Sequence, residues 1–362
     1  MKIAVYTIAL NEEQFVQRWY DSCKEADYLF IADTGSTDNT VELARSLGIN
    51  VATISVKPWR FDDSRNAALA LLPDDIDMCI SLDMDELLGE GWRQEMEKAS
   101  KDATRIRYNY TWNFNPDGTP GLVFGGDKIH ARHHYRWKHP VHEVITPDRI
   151  TEVQYWSQLN LYHKADNTKS RGQYLPLLKL SVEEDPMDDR NAYYYARELF
   201  FHGRYKEANK AFKHHLSLKT AVWKPERAAS MRYIAKTEED NEQKLIWITN
   251  AVKECPGRRE ALVELAQYYY DNLDWPNCLT AAKKALAIKE RPMEYLCEDF
   301  AWGYLPHDLA AMGAYYTGKY EDALAYGRDA LSIASEEHTS RLFENLKYYQ
   351  EKYDLEKTKE ES

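Results

Sequence analysis

Ile80-Ser81-Leu82-Asp83-Met84-Asp85-Glu86-Leu87 is the stretch on which the reading of this 362-residue chain turns. The apolar run before it, Met78 to Leu82, has the length of a buried strand, and it breaks into two carboxylates one residue apart. In an extended segment residues i and i+2 share a face, so Asp83 and Asp85 are expected to point together while Leu82 and Met84 point into protein. Two carboxylates at a strand mouth repel unless a cation or a hydrogen-bonded sugar lies between them. A hard divalent ion bridging to a diphosphate meets that need. A solvated acidic turn explains a lone Asp-x-Asp as well, so its surroundings decide.

Upstream, Ile3–Leu10, Tyr28–Ala32 and Asn50–Ser55 are further apolar runs of strand length. Glu12–Cys23, Asn39–Leu47 and Phe61–Leu72 show helical spacing between them. Strand and helix in alternation predict a parallel sheet with crossover helices, and a ligand crevice at the carboxyl ends of the strands. Each strand end carries polar residues. Strand one runs into Ala9-Leu10-Asn11-Glu12-Glu13. Strand two ends in Asp33-Thr34-Gly35-Ser36-Thr37-Asp38, in which Asp33 can accept from a base N–H or a ribose hydroxyl, while Asp38 or Asn39 caps a helix. Asp63-Ser64-Arg65-Asn66-Ala67 puts Arg65 near a helix start, suited to a phosphate or a base carbonyl. Arg105–Asn113 and residues 122–134, separated by the turn Asn115-Pro116-Asp117-Gly118, read as antiparallel additions.

These motifs, in this order, resemble the inverting family 2 glycosyltransferases of the GT-A fold over roughly residues 1–165. The resemblance implies that Ala9, Asn11 and Glu12 border a nucleotide and that Asp33 contacts uracil. It further implies that Arg65 touches the base or diphosphate, Asp83 the ribose or donor sugar, and Asp85 a metal, Mn2+ or Mg2+. Ala32 stands where many relatives carry a second acid. Trp137-Lys138-His139-Pro140-Val141-His142-Glu143 is similar to a tryptophan-to-His-Glu segment of relatives that bear helical repeats. Transfer with inversion needs one base for the acceptor hydroxyl. Glu143 is the candidate, supported or replaced by His142, with Asp127 as rival and a plain ion pair to Arg132 or Arg136 as the structural alternative. His163, ending the run Leu159–Tyr162, lies where relatives carry a further metal ligand; otherwise it is a buried, hydrogen-bonded linker residue.

Beyond about residue 185 the strand signals vanish and a repeat takes over. Ala196, Gly203, Tyr205, Ala208 and Phe212 recur in kind as Ala310, Gly318, Tyr320, Ala323 and Tyr326. A weaker copy runs through Ala266, Tyr270, Trp275, Cys278, Ala281 and Ala285. A degenerate unit falls near Ala228–Glu254 and an insertion near Arg291–Tyr304. A period near 34 residues with small residues at helix contacts is the tetratricopeptide (TPR) signature. The expected fold is thus an α/β GT-A domain, 1–168, a linker helix, 169–184, TPR-like helical repeats, 185–355, and a frayed tail, 356–362. The whole chain resembles the family 2 glycosyltransferases with C-terminal TPR-like repeats found in bacteria and their phages. Such repeats usually bind a protein; a cap that stabilises the first domain or forms a homo-oligomer is the alternative.

Lys and Arg total 47 against 59 Asp and Glu, a net charge of −12, so bulk charge does not favour nucleic acid. Only Lys128 to His142, with Arg132, Arg136, Lys138 and five histidines, forms a positive strip that keeps DNA open as an acceptor. Five scattered cysteines with no C-x-x-C pair read as free thiols of a reducing compartment. The apolar stretch Ile3–Leu10 is too short to span a membrane, and the expected location is cytoplasmic. The expectation is therefore a metal-dependent glycosyltransferase moving a hexose, glucose foremost, from a UDP-sugar to a protein or peptide, an envelope glycan or a modified phage DNA. The alternative is a TPR adaptor whose first domain binds nucleotide but catalyses weakly. A nucleotidyltransferase is disfavoured because Asn11-Glu12 stands where those enzymes carry a Gly-rich, Arg-containing loop.

Overall fold

The computed structural model describes residues 1–115, 117–165 and 172–360, and the chain divides into two compact units, Met1–Glu184 and Asp185–Ser362. In the first unit the elements are β1 (Ile3–Ala9), α1 (Glu13–Cys23), β2 (Tyr28–Asp33), α2 (Thr40–Ser46), β3 (Asn50–Thr53), α3 (Phe61–Ala70), β4 (Met78–Ser81), β5 (Glu86–Leu88) and α4 (Trp92–Glu97). There follow β6 (Arg105–Thr111), β7 (Val123–Ala131), β8 (Tyr135–Lys138), β9 (Val144–Pro147), β10 (Gln154–His163) and α5 (Tyr174–Glu184). Eight strands form one sheet in the order β3-β2-β1-β4-β7-β6-β10-β5, and β8 and β9 make a separate ribbon.

The strands β3, β2, β1 and β4 run parallel, as the intervening helices and the buried, mainly apolar sequences of β1, β2 and β4 lead one to expect. The chain winds outward from β1 through β2 to β3, then returns to the other side of β1 as β4. Strand order therefore reverses between β1 and β4, and such a switch point opens a crevice beyond the carboxyl ends. β7 is antiparallel to both β4 and β6, and β10 is parallel to β6. One face of the sheet buries Ile3, Val5, Ile31 and Ile80 with Val16 and Trp19 of α1; the other buries Ala4, Tyr6, Phe30 and Cys79 with Ala68 and Leu69 of α3. This alternation is the period-2 signature of strands covered on both sides.

The second unit contains α6 (Asp189–Phe201), α7 (Tyr205–Ser217), α8 (Lys224–Thr237), α9 (Asn241–Glu254), α10 (Arg259–Asp271), α11 (Trp275–Ala287), α12 (Leu305–Tyr316), α13 (Tyr320–Ile333) and α14 (Glu336–Glu360). They pair as α6/α7, α8/α9, α10/α11 and α12/α13, with α14 packed on α13. Ala208, Cys278 and Ala323 each occupy the fourth position of a second helix and are fully buried, because a larger side chain there would hold the pair apart. The expected insertion, residues 291–304, lies along the first helices of three successive pairs. Tyr295 stacks on Tyr194 of α6 and donates to Glu226 of α8, Glu298 pairs with Arg232 of α8, and Trp302 donates to Glu260 of α10. That side of the first helices is thus lined by the chain's own segment.

Candidate active site

β4 ends at Ser81, and Asp83–Asp85 form a turn in which the Glu86 amide donates to the Asp83 carbonyl at 2.9 Å. The two aspartates therefore do not share a strand face, and each has its own partners. This corrects the expected shared grip on one cation. Arg65 Nη2 donates to Asp83 Oδ1 at 2.6 Å and Lys128 Nζ to Asp83 Oδ2 at 2.7 Å. Burial alone would push the Asp83 carboxyl up, yet these two cations hold it well below the usual carboxylate range. Lys128 also reaches Glu86 Oε1 at 3.0 Å, where the Tyr110 hydroxyl donates at 2.8 Å. Burial raises the Glu86 carboxyl above its ordinary value against the pull of Lys128.

Arg65 lies in the middle of α3 and is 5% exposed, so it is an interior strut and not an open phosphate contact at the helix start. Its Nε donates to Glu143 Oε1 at 2.5 Å and its Nη1 to Ser81 Oγ at 3.0 Å, with the guanidinium 5.0 Å from the Trp137 ring. One planar fork thus joins the end of β4, the turn after it and the loop between β8 and β9. Glu143 pairs with Arg65, neither with Arg132 nor with Arg136. Beside it, His142 takes a positive φ of 51° and packs edge-on against Tyr174 at 5.6 Å. Asp127, the rival base, is half exposed and engages Arg107 at 3.5 Å, and no described contact joins it to Asp83 or Asp85.

Asp85 meets His163. Register pairs His163 with Glu86 across β10 and β5, and the Asp85 carbonyl accepts from the Lys164 amide at 2.7 Å, so the turn and the strand end are stitched together. His163 Nδ1 faces the Trp112 carbonyl at 3.1 Å, and its ring stacks on Trp112 with centroids 4.5 Å apart. A carbonyl can only accept, so Nδ1 carries the proton and the Nε2 lone pair faces Asp85 Oδ2 at 3.4 Å. Burial lowers the affinity of this imidazole for a second proton, but Asp85 outweighs it and raises the pKa above the ordinary histidine value. A proton on Nε2, or a cation between Nε2 and Oδ2, satisfies the pair. One imidazole nitrogen and one carboxylate oxygen are a donor set that suits a divalent cation; neighbouring ligands of an octahedral ion with bonds of about 2.1 Å lie about 3.0 Å apart, slightly closer than this pair.

At the β1 and β2 ends, Asn11 has a positive φ of 55°; its side chain accepts from the Thr37 amide at 2.8 Å, and its amide donates to Ser36 Oγ at 2.9 Å. The Glu12 amide donates to Thr40 Oγ1 at 2.7 Å. Asp33 is 3% exposed, and its carboxylate accepts from the amides of Gly35 and Ser36, both at 3.1 Å. Ala9 is buried, and its carbonyl accepts from Thr34. These residues build one rigid double loop beside the crevice.

The basic strip is partly taken inside on folding, with Arg136 and Lys138 left exposed. Lys128 is committed to Asp83 and Glu86, while Arg132 donates to the carbonyls of Leu72 and Pro73. His130 is fully buried and hydrogen bonded to Tyr6 at 3.1 Å. Lys128, Glu86, Tyr110 and Trp112 were not singled out as site residues by sequence reasoning. The adjacency of β7 to β4 brings Lys128 in, and no local pattern encodes it; Glu86 stood inside the acidic motif and could have been flagged as the third carboxylate.

No family model matches the chain. An uncharacterized glycosyltransferase of Rickettsia typhi is 31% identical over 109 residues, which is 30% of this chain and 36% of that protein, so the match spans about a third of the curated relative's length. Among solved structures, glucosyl-3-phosphoglycerate synthase of Mycobacterium tuberculosis, in complex with Mn2+, UDP and glucosyl-3-phosphoglycerate, has 24% identity and a TM-score of 0.25, covering 30% of this chain and 43% of that one. A thermophilic TPR protein of Thermus thermophilus has 20% identity and a TM-score of 0.34, covering 48% of this chain and 88% of that one. With the switch point between β1 and β4 and the paired helices of the second unit, the chain joins an α/β domain built on a mixed sheet to TPR-like helical repeats, and over 109 residues it is similar to proteins named glycosyltransferase.

Proposed function

We propose that this chain is a metal-dependent inverting glycosyltransferase that moves a hexose, glucose foremost, from UDP-sugar to an acceptor hydroxyl. The observation that carries the reading is the apposition of His163 Nε2 and Asp85 Oδ2 at 3.4 Å, beside an Asp83 carboxylate pinned by Arg65 and Lys128. Asp85 and His163 would hold Mn2+ or Mg2+, which when bound supplies Lewis-acid neutralisation of the departing diphosphate. Asp83, ionised and fixed in place, accepts hydroxyl protons of the ribose or the donor sugar and so orients the anomeric carbon. Ala9, Asn11 and Glu12 border the nucleotide, and Asp33 supports the loop that meets the base.

Glu143 acts as the base. Arg65 holds its Oε1, so Oε2 takes the acceptor proton as the hydroxyl oxygen bonds to the anomeric carbon and the bond to the diphosphate oxygen breaks on the opposite face. Arg65 serves here as a positioning residue. His142 fixes the backbone turn from which Glu143 projects. Internal commitment of Lys128 and Arg132 thins the cations of the basic strip to the exposed Arg136 and Lys138. The net charge of −12 disfavours DNA against a protein, peptide or glycan acceptor.

The test is UDP release from UDP-glucose with and without Mn2+, with the anomeric configuration of the product read by NMR. Turnover should need the ion, yield the inverted anomer and fall about 10²- to 10⁴-fold in Glu143→Gln with UDP binding intact. Undiminished turnover in that variant, or a retained anomer, contradicts the assignment.

A further inference from the structure

We propose that Asp189, His215 and Glu226 form a second divalent-metal site, built entirely within the helical unit. One ligand atom from each lies within 4.8 Å of the other two. Asp189 opens α6, His215 lies in the last turn of α7 and Glu226 in the first turn of α8, so three consecutive helices meet at one end of the stack. His215 is fully buried and Glu226 is 3% exposed. A plain surface ion pair does not describe them.

The histidine is set up as a ligand. Its Nδ1 lies 2.8 Å from Ser230 Oγ, a partner that can fix the tautomer, while its buried Nε2 makes no hydrogen bond although Glu226 Oε1 is 3.4 Å away. That separation equals the edge of a tetrahedron with metal–ligand bonds of about 2.1 Å. The other carboxylate oxygen, Glu226 Oε2, accepts from the Tyr295 hydroxyl at 2.6 Å, which orients the group from behind as outer-shell partners do. One imidazole with two carboxylates suits a borderline cation such as Zn2+ better than Mg2+ or Ca2+. Bound there, the ion ties the first helical pair to the second. Through Glu226 and Tyr295 it also reaches the segment 291–304 that lines the array.

The experiment uses the full chain carrying Asp85→Asn and His163→Ala, so that the site of the first unit is silenced, and Zn2+ as the probe. Calorimetric titration should show one equivalent of Zn2+ bound, and the melting temperature should rise by about 5 °C with Zn2+ and return on chelation. Adding His215→Ala should weaken binding at least tenfold. Asp189→Asn, half-buried and isosteric, should do the same and covers the case in which His215→Ala does not fold. Absence of Zn2+ binding in the silenced background, or binding equally strong in the Asp189→Asn chain, overturns the proposal.

Discussion

Arg65 shows how one side chain can be read correctly in type and wrongly in place. Its position in the Ser-Arg-Asn-x-Ala motif marks it as part of the site, but its three bonds go to Ser81, Asp83 and Glu143. The reason is burial: a guanidinium deep in α3 must satisfy its donors locally. Arg65→Met leaves Glu143 without its cation and Asp83 with Lys128 alone. We expect a loss of about 3–5 kcal/mol in denaturant unfolding, with Arg65→Lys restoring charge but not the fork. His163 and Asp85 are 78 positions apart, and the pairing of β10 with β5 brings them together; the resemblance named both as ligands of one metal, while the strand pairing that joins them has no local signal in the sequence.

A second residue-scale prediction concerns His130. The Trp137 indole donates to the Tyr6 hydroxyl at 2.8 Å, that hydroxyl faces His130 Nε2, and Nδ1 faces the Ala131 carbonyl at 2.8 Å, so the neutral ring is satisfied at both nitrogens. Burial, foremost, pushes its pKa down from 6.5 to about 4. Between those values the unfolded chain binds a proton that the folded chain refuses, so stability falls as pH drops through this window and levels off below it. The drop is about 3 kcal/mol. Stability curves at pH 7 and pH 4 should show it, and His130→Gln should flatten the difference.

At the scale of elements, the long periodic segments were legible and the short ones were not. β1, β2, β4 and the early helices follow their apolar spacing closely. By contrast, β5, β8 and β9, of three, four and four residues, lack the continuous buried apolar run that marks the equally short β4. The repeats could be aligned because their turns recur: Gly203 and Gly318 sit at φ of 70° and 74°. Leu273 occupies the equivalent turn before α11 at φ 55° and is exposed, so it bears a left-handed conformation that suits glycine. Leu273→Gly is expected to stabilise the second unit by about 0.5–1 kcal/mol, measured by thermal or urea unfolding. Gly313 shows the opposite constraint. A Cβ there would come within 2.8 Å of the Leu279 backbone nitrogen, so Gly313→Ala should force α11 and α12 apart and cost about 1–3 kcal/mol.

For the whole molecule, each unit carries its own apolar core, one around Val5, Trp19 and Ile80 and the other around Ala266, Cys278 and Ala310. Differential scanning calorimetry should therefore resolve two transitions, and UDP with Mn2+ at about 100 times the dissociation constant should stabilise only one, by about 2.7 kcal/mol. Among the described residues no helix is long and apolar enough to cross a membrane. The change in grammar at about residue 185, from alternating strands and helices to paired helices, was plain from the sequence because it is a change of period. The lining of the helical array by residues 291–304 was not, since an insertion has no period to read.

The most direct measurement is calorimetric titration of UDP into the full chain with Mn2+ present or chelated, repeated on Asp85→Ala. If Asp85 and His163 grip a cation against the diphosphate, UDP binds tightly only with Mn2+, and Asp85→Ala weakens that binding at least about 100-fold with the circular dichroism spectrum unchanged. Equal UDP affinity in the presence and absence of Mn2+, or in the two chains, contradicts it.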